Sequence, residues 1–309
     1  MKNELTNQEK NLLEKITGKA EFAEGAYNIR ENGKGIERKT TENINIINKT
    51  DKPGIDIIVK ENTKHEFVHI PVMITESGIN DLVYNDFYIG KNAEVTIIAG
   101  CGIHNDHHML SRHDGIHSFY LDEGAKVKYI EKHYGEGTGT GEKILNPKTI
   151  VNLKKGAVLE MDSVQIEGVD STIRETFGNL EEDSNFIVSE KIMTHKNQFA
   201  KTVFEVNLNG KNASTHVTSR SVAKENSKQE FISKVVGNTK CYGHVECDAI
   251  IMDNGTVKAI PEILANNIDA RLIHEAAIGK IAGEQLTKLM TLGLSEKEAE
   301  EKIIKGFLK

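Results

Sequence analysis

Three short stretches hold the residues able to do chemistry. The first runs Cys101-Gly102-Ile103-His104-Asn105-Asp106-His107-His108 and continues to His113 and His117. Five of the twelve histidines fall within fourteen residues there. Imidazole and thiolate suit zinc, iron or copper. The spacing matches no closed zinc site, however, and loop histidines beside Asp and Ser are often simply solvated. The second stretch is Cys241-Tyr242-Gly243-His244-Val245-Glu246-Cys247-Asp248. In a straight strand Cys241 and Cys247 face one side but stand about 20 Å apart, at about 3.3 Å per residue. They share a ligand only if the chain turns, and Gly243 offers a corner. Taken singly, each reads as a buried small hydrophobe, and Cys247 sits between Val245 and Ala249 on an apolar face. The third is His274-Glu275, just after the last strand-like stretch, Ala270 to Ile273, and alone it signals little.

Other motifs fail on their own terms. Gly135-Glu136-Gly137-Thr138-Gly139-Thr140-Gly141-Glu142-Lys143 looks like a phosphate loop but lacks the Gly-Lys-Ser/Thr ending, and no helical pattern follows it. It reads as an excursion between structural units. There is no nucleophile elbow and no HExxH helix. ATP hydrolysis is therefore not expected of this chain.

The elements that must position these residues are mostly strands. One helix opens the chain: Thr6-Asn7-Gln8-Glu9 has the capping-box spacing, Leu12, Leu13 and Ile16 form an apolar stripe, and Gly18 ends it. Residues 18–51 are polar and broken by glycines, a lead-in. From about Gly54 to Ile260 apolar and polar residues alternate, as in Glu94-Val95-Thr96-Ile97 and Asn185-Phe186-Ile187-Val188. A phrase ending in Ala recurs at Ala93, Ala125, Ala157 and Ala213, with Asp183-Ser184 as a degenerate copy. Gly or Asn before the Ala suits a corner with positive φ, and the small Ala lets corners stack. Repeated strand units without intervening helices predict a mainly β fold, a β-solenoid in which each coil covers its neighbour's edge. A β-sandwich is the other reading, but its turns would recur every 8–12 residues or so. After Pro261 two short amphipathic helices follow, the second opened by the capping box Ser295-Glu296-Lys297-Glu298. They cap the solenoid or dock a partner. The division expected is 1–53 for helix and lead-in, 54–260 for the core and 261–309 for the C-terminal segment.

Bulk composition narrows the function. Lys and Arg number 39 against 46 Asp and Glu, a net charge of −7, which argues against a surface that tracks nucleic-acid phosphates. No apolar run is long enough to cross a bilayer, and residues 1–16 are too polar for a signal peptide. A cytoplasmic protein without nucleic-acid or membrane partners is expected. Three cysteines without a secretory signal point to reduced thiols or metal ligands, not a disulfide framework.

Four separated motifs then agree in order: Glu246-Cys247-Asp248-Ala249-Ile250-Ile251, Ala259-Ile260-Pro261-Glu262, His274-Glu275-Ala276-Ala277 and Gly283-Glu284-Gln285-Leu286, with Gly293-Leu294-Ser295 closing the block. From about Glu24 onward the chain resembles the SufB/SufD scaffold family of the SUF iron–sulfur cluster assembly system. Cys247-Asp248 and His274-Glu275-Ala276 are more similar to SufB than to SufD, and the chain looks like the compact form of systems without a separate SufD. The resemblance implies a right-handed parallel β-helix with short helical ends. It implies a partner ABC-type ATPase, SufC-like, docked through the C-terminal helices, and a homodimer or a heterodimer with a SufD-like paralogue. The cargo would be a transient iron–sulfur cluster, expected to be of the 4Fe-4S type. Cys247 would be its principal ligand, Glu275 and His274 weaker ones, and Cys241 a candidate second thiolate. Thiolate is the preferred ligand of such clusters, and carboxylate or imidazole in its place gives a more exchangeable site. The competing expectation is a metal-dependent β-helix enzyme using the Cys101–His117 stretch.

Overall fold

A computed structural model describes residues 5–19, 22 and 24–309. Its strands are, in chain order, β1 (Ala26–Glu31), β2 (Lys34–Lys39), β3 (Ile44–Asn48), β4 (Gly54–Val59), β5 (Lys64–Ile74), β6 (Asn80–Ile89), β7 (Glu94–His104), β8 (Ser111–Leu121), β9 (Lys126–Glu136) and β10 (Lys143–Leu145). They continue with β11 (Lys148–Leu153), β12 (Val158–Glu167), β13 (Ser171–Leu180), β14 (Asn185–Thr194), β15 (Phe199–Leu208), β16 (Ser214–Ala223), β17 (Lys228–Gly237), β18 (Tyr242–Ile251), β19 (Thr256–Ala265) and β20 (Arg271–Gly279). Helices α1 (Asn7–Thr17), α2 (Gly283–Thr291) and α3 (Glu296–Phe307) flank them.

The period-two alternation becomes a β-solenoid of about 8 turns. One parallel sheet stacks β1, β5, β7, β9, β12, β14, β16, β18 and β20; the other stacks β4, β6, β8, the pair β10 and β11, β13, β15, β17 and β19. Each coil gives one strand to each sheet, so hydrogen-bonded neighbours are parallel and about one coil apart in sequence. A sandwich of antiparallel hairpins is thereby ruled out. The lead-in holds more structure than its glycines suggest. β1 lies parallel to β5, while β2 pairs antiparallel with β1 and β3 antiparallel with β4. At the other end β19 and β20 carry both ladders beyond Ile260.

The recurring Ala phrase marks one corner. Ala93, Ala125, Ala157 and Ala213 are completely buried, as is Ser184 in the degenerate copy. The residue before each has positive φ, as at Asn92 (55°), Gly124 (66°) and Asn212 (60°), which Gly and Asn accept at least cost. Each corner amide donates to the next corner's carbonyl, as Asn92 N does to Glu123 O at 3.0 Å and Gly124 N to Lys155 O at 3.0 Å. Inside, Phe87 and Phe119 stack with ring centroids 4.4 Å apart.

Helix α1 rests on the outer face of β7, where Gly100 and Gly102 make the contact possible. A Cβ on either would come within 2.6 Å of Ile16 O or Leu12 Cδ1. The Thr6–Glu9 capping box is formed. Thr6→Ala is expected to weaken α1 by about 1 kcal/mol, read as roughly fivefold faster hydrogen exchange of its amides. At the far end Ile304 of α3 and Leu308, which caps it, pack against Val222 and Ile250. Helix α2 buries no residue, and its Met290 and the capping Leu292 are exposed. No helix among the described residues is long and apolar enough to cross a membrane.

Candidate functional site

Strand β18 brings Cys247 inward one rung below the last. Its neighbours in register are Ser219 of β16 beneath and Ala276 of β20 above. The thiol is 1% exposed, and burial, with Glu190 and Asp248 nearby, pushes it up to about 12. In one copy Cys247 is therefore a thiol, and a ligating metal must displace its proton. His274 also faces inward, on β20 over Val245. Neither of its ring nitrogens has a hydrogen-bond partner among the described residues, and burial, with His244 nearby, lowers its basicity. An unpartnered neutral imidazole is a ready metal ligand.

The structure does not gather all four expected ligands around one point. Successive side chains on a strand point to opposite faces, so Glu275 is outside where His274 is inside. It stacks on Glu246, and its Oε2 lies 3.3 Å from His244 Nε2, which in turn packs against His216. Cys241 stays apart as well. β18 runs unbroken with Gly243 inside it, so the corner that would bring Cys241 to Cys247 is absent. The Cys241 thiol packs at the coil corner instead, where a Cβ on Gly237 would meet its Sγ at 3.0 Å, and burial raises its pKa. His274 and Glu275 lie within β20, not after the last strand.

What lies open is the rim around them. Ile260, Ile263, Leu264, Ile268, Ile273 and Ile278 are all exposed on the last coil. Among the described residues no further strand covers β19 or β20.

The histidine-rich stretch is the end of β7, a connecting loop that carries His107 and His108, and the start of β8. Cys101, His113 and His117 turn inward and are buried. His104 is engaged outside by Glu136 Oε1 at 3.0 Å and Asp106 Oδ2 at 2.8 Å. Among the described residues no group of three or more His, Cys, Asp or Glu side chains is arranged to hold a metal ion. The metal-enzyme expectation for Cys101–His117 thus finds no preformed centre.

Instead the inward residues form a file of buried charge. Arg30 Nη2 meets Asp81 Oδ1 at 2.9 Å, and Asp81 Oδ2 accepts from His113 Nδ1 at 2.9 Å. His113 and His133 flank the thiol of Cys101. His133 Nε2 stands 3.6 Å from Glu131 Oε1, Arg174 Nη1 donates to Glu131, and Arg174 Nε is 3.4 Å from Glu190 Oε2. Ser219 and Thr202 hydroxyls complete Glu190, each with an oxygen at 2.9 Å. On the β9 to β18 ladder this makes one inward column, Glu131–Ser163–Glu190–Ser219–Cys247. Burial alone would raise Glu131, but His133 and Arg174 hold it well below the usual carboxylate range.

A family model described as "SUF system FeS cluster assembly, SufBD core domain" matches residues 80–307. An iron–sulfur cluster assembly SufBD family protein of Methanocaldococcus jannaschii is 29% identical over 255 residues, covering 82% of this chain and 79% of that protein. A SufBD family protein of Pyrococcus horikoshii is 30% identical over 262 residues, 82% of this chain and 57% of its own length. The iron–sulfur cluster assembly protein SufB of Bacillus subtilis is 42% identical over 103 residues, 31% of this chain and 22% of that protein.

Proposed function

Since the chain belongs to the SufBD core family of the SUF iron–sulfur cluster assembly system, we propose that it is a scaffold on which a nascent cluster is built and handed on. The observation that carries this reading is the open last coil. One rung below it stands Cys247, on it an imidazole with two unpartnered nitrogens, and around it an apolar rim without a covering strand. Edge strands left in this state invite pairing with another chain. A second copy, or a SufD-like paralogue, adds its β19 and β20 edges to these. The joint then brings together Cys247, His274 and Glu275 from both sides, because no single copy places Glu275 on the thiol's face. Cys241, at the coil corner, is the reserve thiolate.

The cargo is a transient cluster of the 4Fe-4S type. One thiolate per copy, with imidazole and carboxylate beside it, holds such a cluster less firmly than four thiolates. Helices α2 and α3 supply the docking point for a SufC-like ABC ATPase. In support, α2 buries no residue, and an open groove of about 840 Å³ runs between α3 and the β18–β20 face, lined in part by Gln285 and Phe307. Such a protein works where thiols stay reduced, in the cytoplasm.

Anaerobic reconstitution with iron and sulfide tests the site. Wild type is expected to take up a cluster with thiolate-to-iron absorption, and Cys247→Ala to retain less than about a tenth of it, since thiolate is the principal ligand. Full iron and sulfide content with an unchanged spectrum in Cys247→Ala would refute the assignment.

A further inference from the structure

We propose that Cys101 is a modification site, a peroxide-reactive thiolate inside the tube with His113 as its proton donor and Asp81 as the group that orients His113. This goes beyond cluster assembly at the open end and does not rest on it. A reactive cysteine needs a thiolate, a group to protonate the leaving atom, and space for the atom it gains. All three meet here. Cys101 on β7 is faced by His113 and His117 of β8 and by Tyr129, Glu131 and His133 of β9. Asp81 of β6 stands behind His113, and Arg174 of β13 behind Glu131.

His113 is 2% exposed, and its Nδ1 is fixed on Asp81 Oδ2 at 2.9 Å. Its Nε2 has no hydrogen-bond partner of good geometry and looks into the space beside the thiol. Gly115 keeps that space open, since a Cβ there would lie 3.2 Å from His113 Nε2 and 3.3 Å from His117 Nε2. The cavity is about 10 Å³ and reaches Asn146 and Pro147, where β10 and β11 part. That is room for about one water-sized atom, which selects a small oxidant over a protein disulfide or a bulky thiol. The charges agree with the geometry. Burial alone would raise the thiol, but His113 and His133 bring it down to about 7, whereas Cys241 and Cys247 are both pushed up.

In the step, the Cys101 sulfur attacks one oxygen of hydrogen peroxide and the O–O bond breaks. The departing oxygen takes the proton from His113 Nε2 and leaves as water. Sulfur is oxidised to the sulfenic acid and peroxide is reduced. The product is uncharged, so it removes the anion between His113 and His133. Because His113 gives up its proton in the same step, one negative and one positive charge are lost together and the net charge of the buried file is unchanged.

The test is limiting hydrogen peroxide on the full folded chain, quenched with catalase into denaturant containing dimedone, a sulfenic-acid trap that then reaches the buried sulfur, and read by peptide mass spectrometry. Near neutral pH, Cys101 is expected to label at least about tenfold faster than Cys241 or Cys247, following their thiolate fractions. The rate should be half-maximal near pH 7, where the thiol titrates. His113→Gln and Asp81→Asn are expected to slow labelling about tenfold and to move that midpoint upward. Equal labelling of the three cysteines in the unaltered protein overturns the proposal by itself. So does a natively folded His113→Gln that labels Cys101 at the wild-type rate and midpoint. Cluster uptake by Cys247 is read separately and stands or falls on its own.

Discussion

Arg174→Ala is expected to cost about 3–5 kcal/mol of stability at neutral pH, as is usual when one partner of a buried ion pair is removed. Arg174 is 2% exposed and is the guanidinium that serves both Glu131 and Glu190, themselves 1% and 4% exposed. Removing it leaves two carboxylates in the core, with His133, His117, Tyr129 and the Ser219 and Thr202 hydroxyls beside them but no guanidinium. Chemical denaturation should show a markedly lower midpoint, and the deficit should shrink as pH falls and the orphaned carboxylates take up protons. Adding Glu131→Gln and Glu190→Gln to Arg174→Met should recover most of the loss, because the buried charges then vanish together. A loss below about 1 kcal/mol in Arg174→Ala would mean that water, not Arg174, satisfies the two carboxylates.

Ile263→Lys combined with Ile273→Lys is expected to abolish pairing through the open coil. Both residues are exposed in the single chain, at 44% and 42%, on β19 and β20. Burying each in a joint contributes about 1.5–3 kcal/mol, so losing two weakens association by about a hundredfold or more. Lysine on an edge strand is also a natural deterrent to strand addition. Sedimentation should find wild type paired and the double variant as single chains, with unchanged far-ultraviolet circular dichroism. A double variant that pairs as tightly as wild type would remove the joint from the last coil, and the shared cluster site with it.

Much of the architecture was legible because it depends on local rules. Ala93, Ala125 and Ala157 recur every 32 residues, and each marks a stacked corner. The two capping boxes are formed where their spacing placed them. The lead-in was harder, since β2 and β3 are short strands that gain their place only by pairing antiparallel with β1 and β4. The split of the candidate site was also readable. His274 and Glu275 are adjacent, so on a strand they cannot both face Cys247. What hid this was the expectation that the strand ended at Ile273.

The buried charge file was invisible for a different reason. In Tyr129-Ile130-Glu131-Lys132-His133 the apolar-inside rule points the wrong way. Tyr129, Glu131 and His133 face the interior, while Ile130 is only half-buried on the outside. The compensating residues, Arg174 and Asp81, come from other coils, so their pairing appears only once the coils are stacked. An unusual acidic residue in the inward phase of a strand was the available signal, and a matching cation in another coil is what gives it meaning.

The two ends of the tube are unlike, and this limits how many copies can join. At the start, β2 closes one sheet with the charged run Lys34-Gly35-Ile36-Glu37-Arg38-Lys39, laid antiparallel, and α1 straps the coils nearby. Among the described residues the finish is the end that leaves an apolar coil open. The pairing proposed above, head to head through that coil, would use up both open faces and stop, whereas a rod open at both tips would string into filaments without limit.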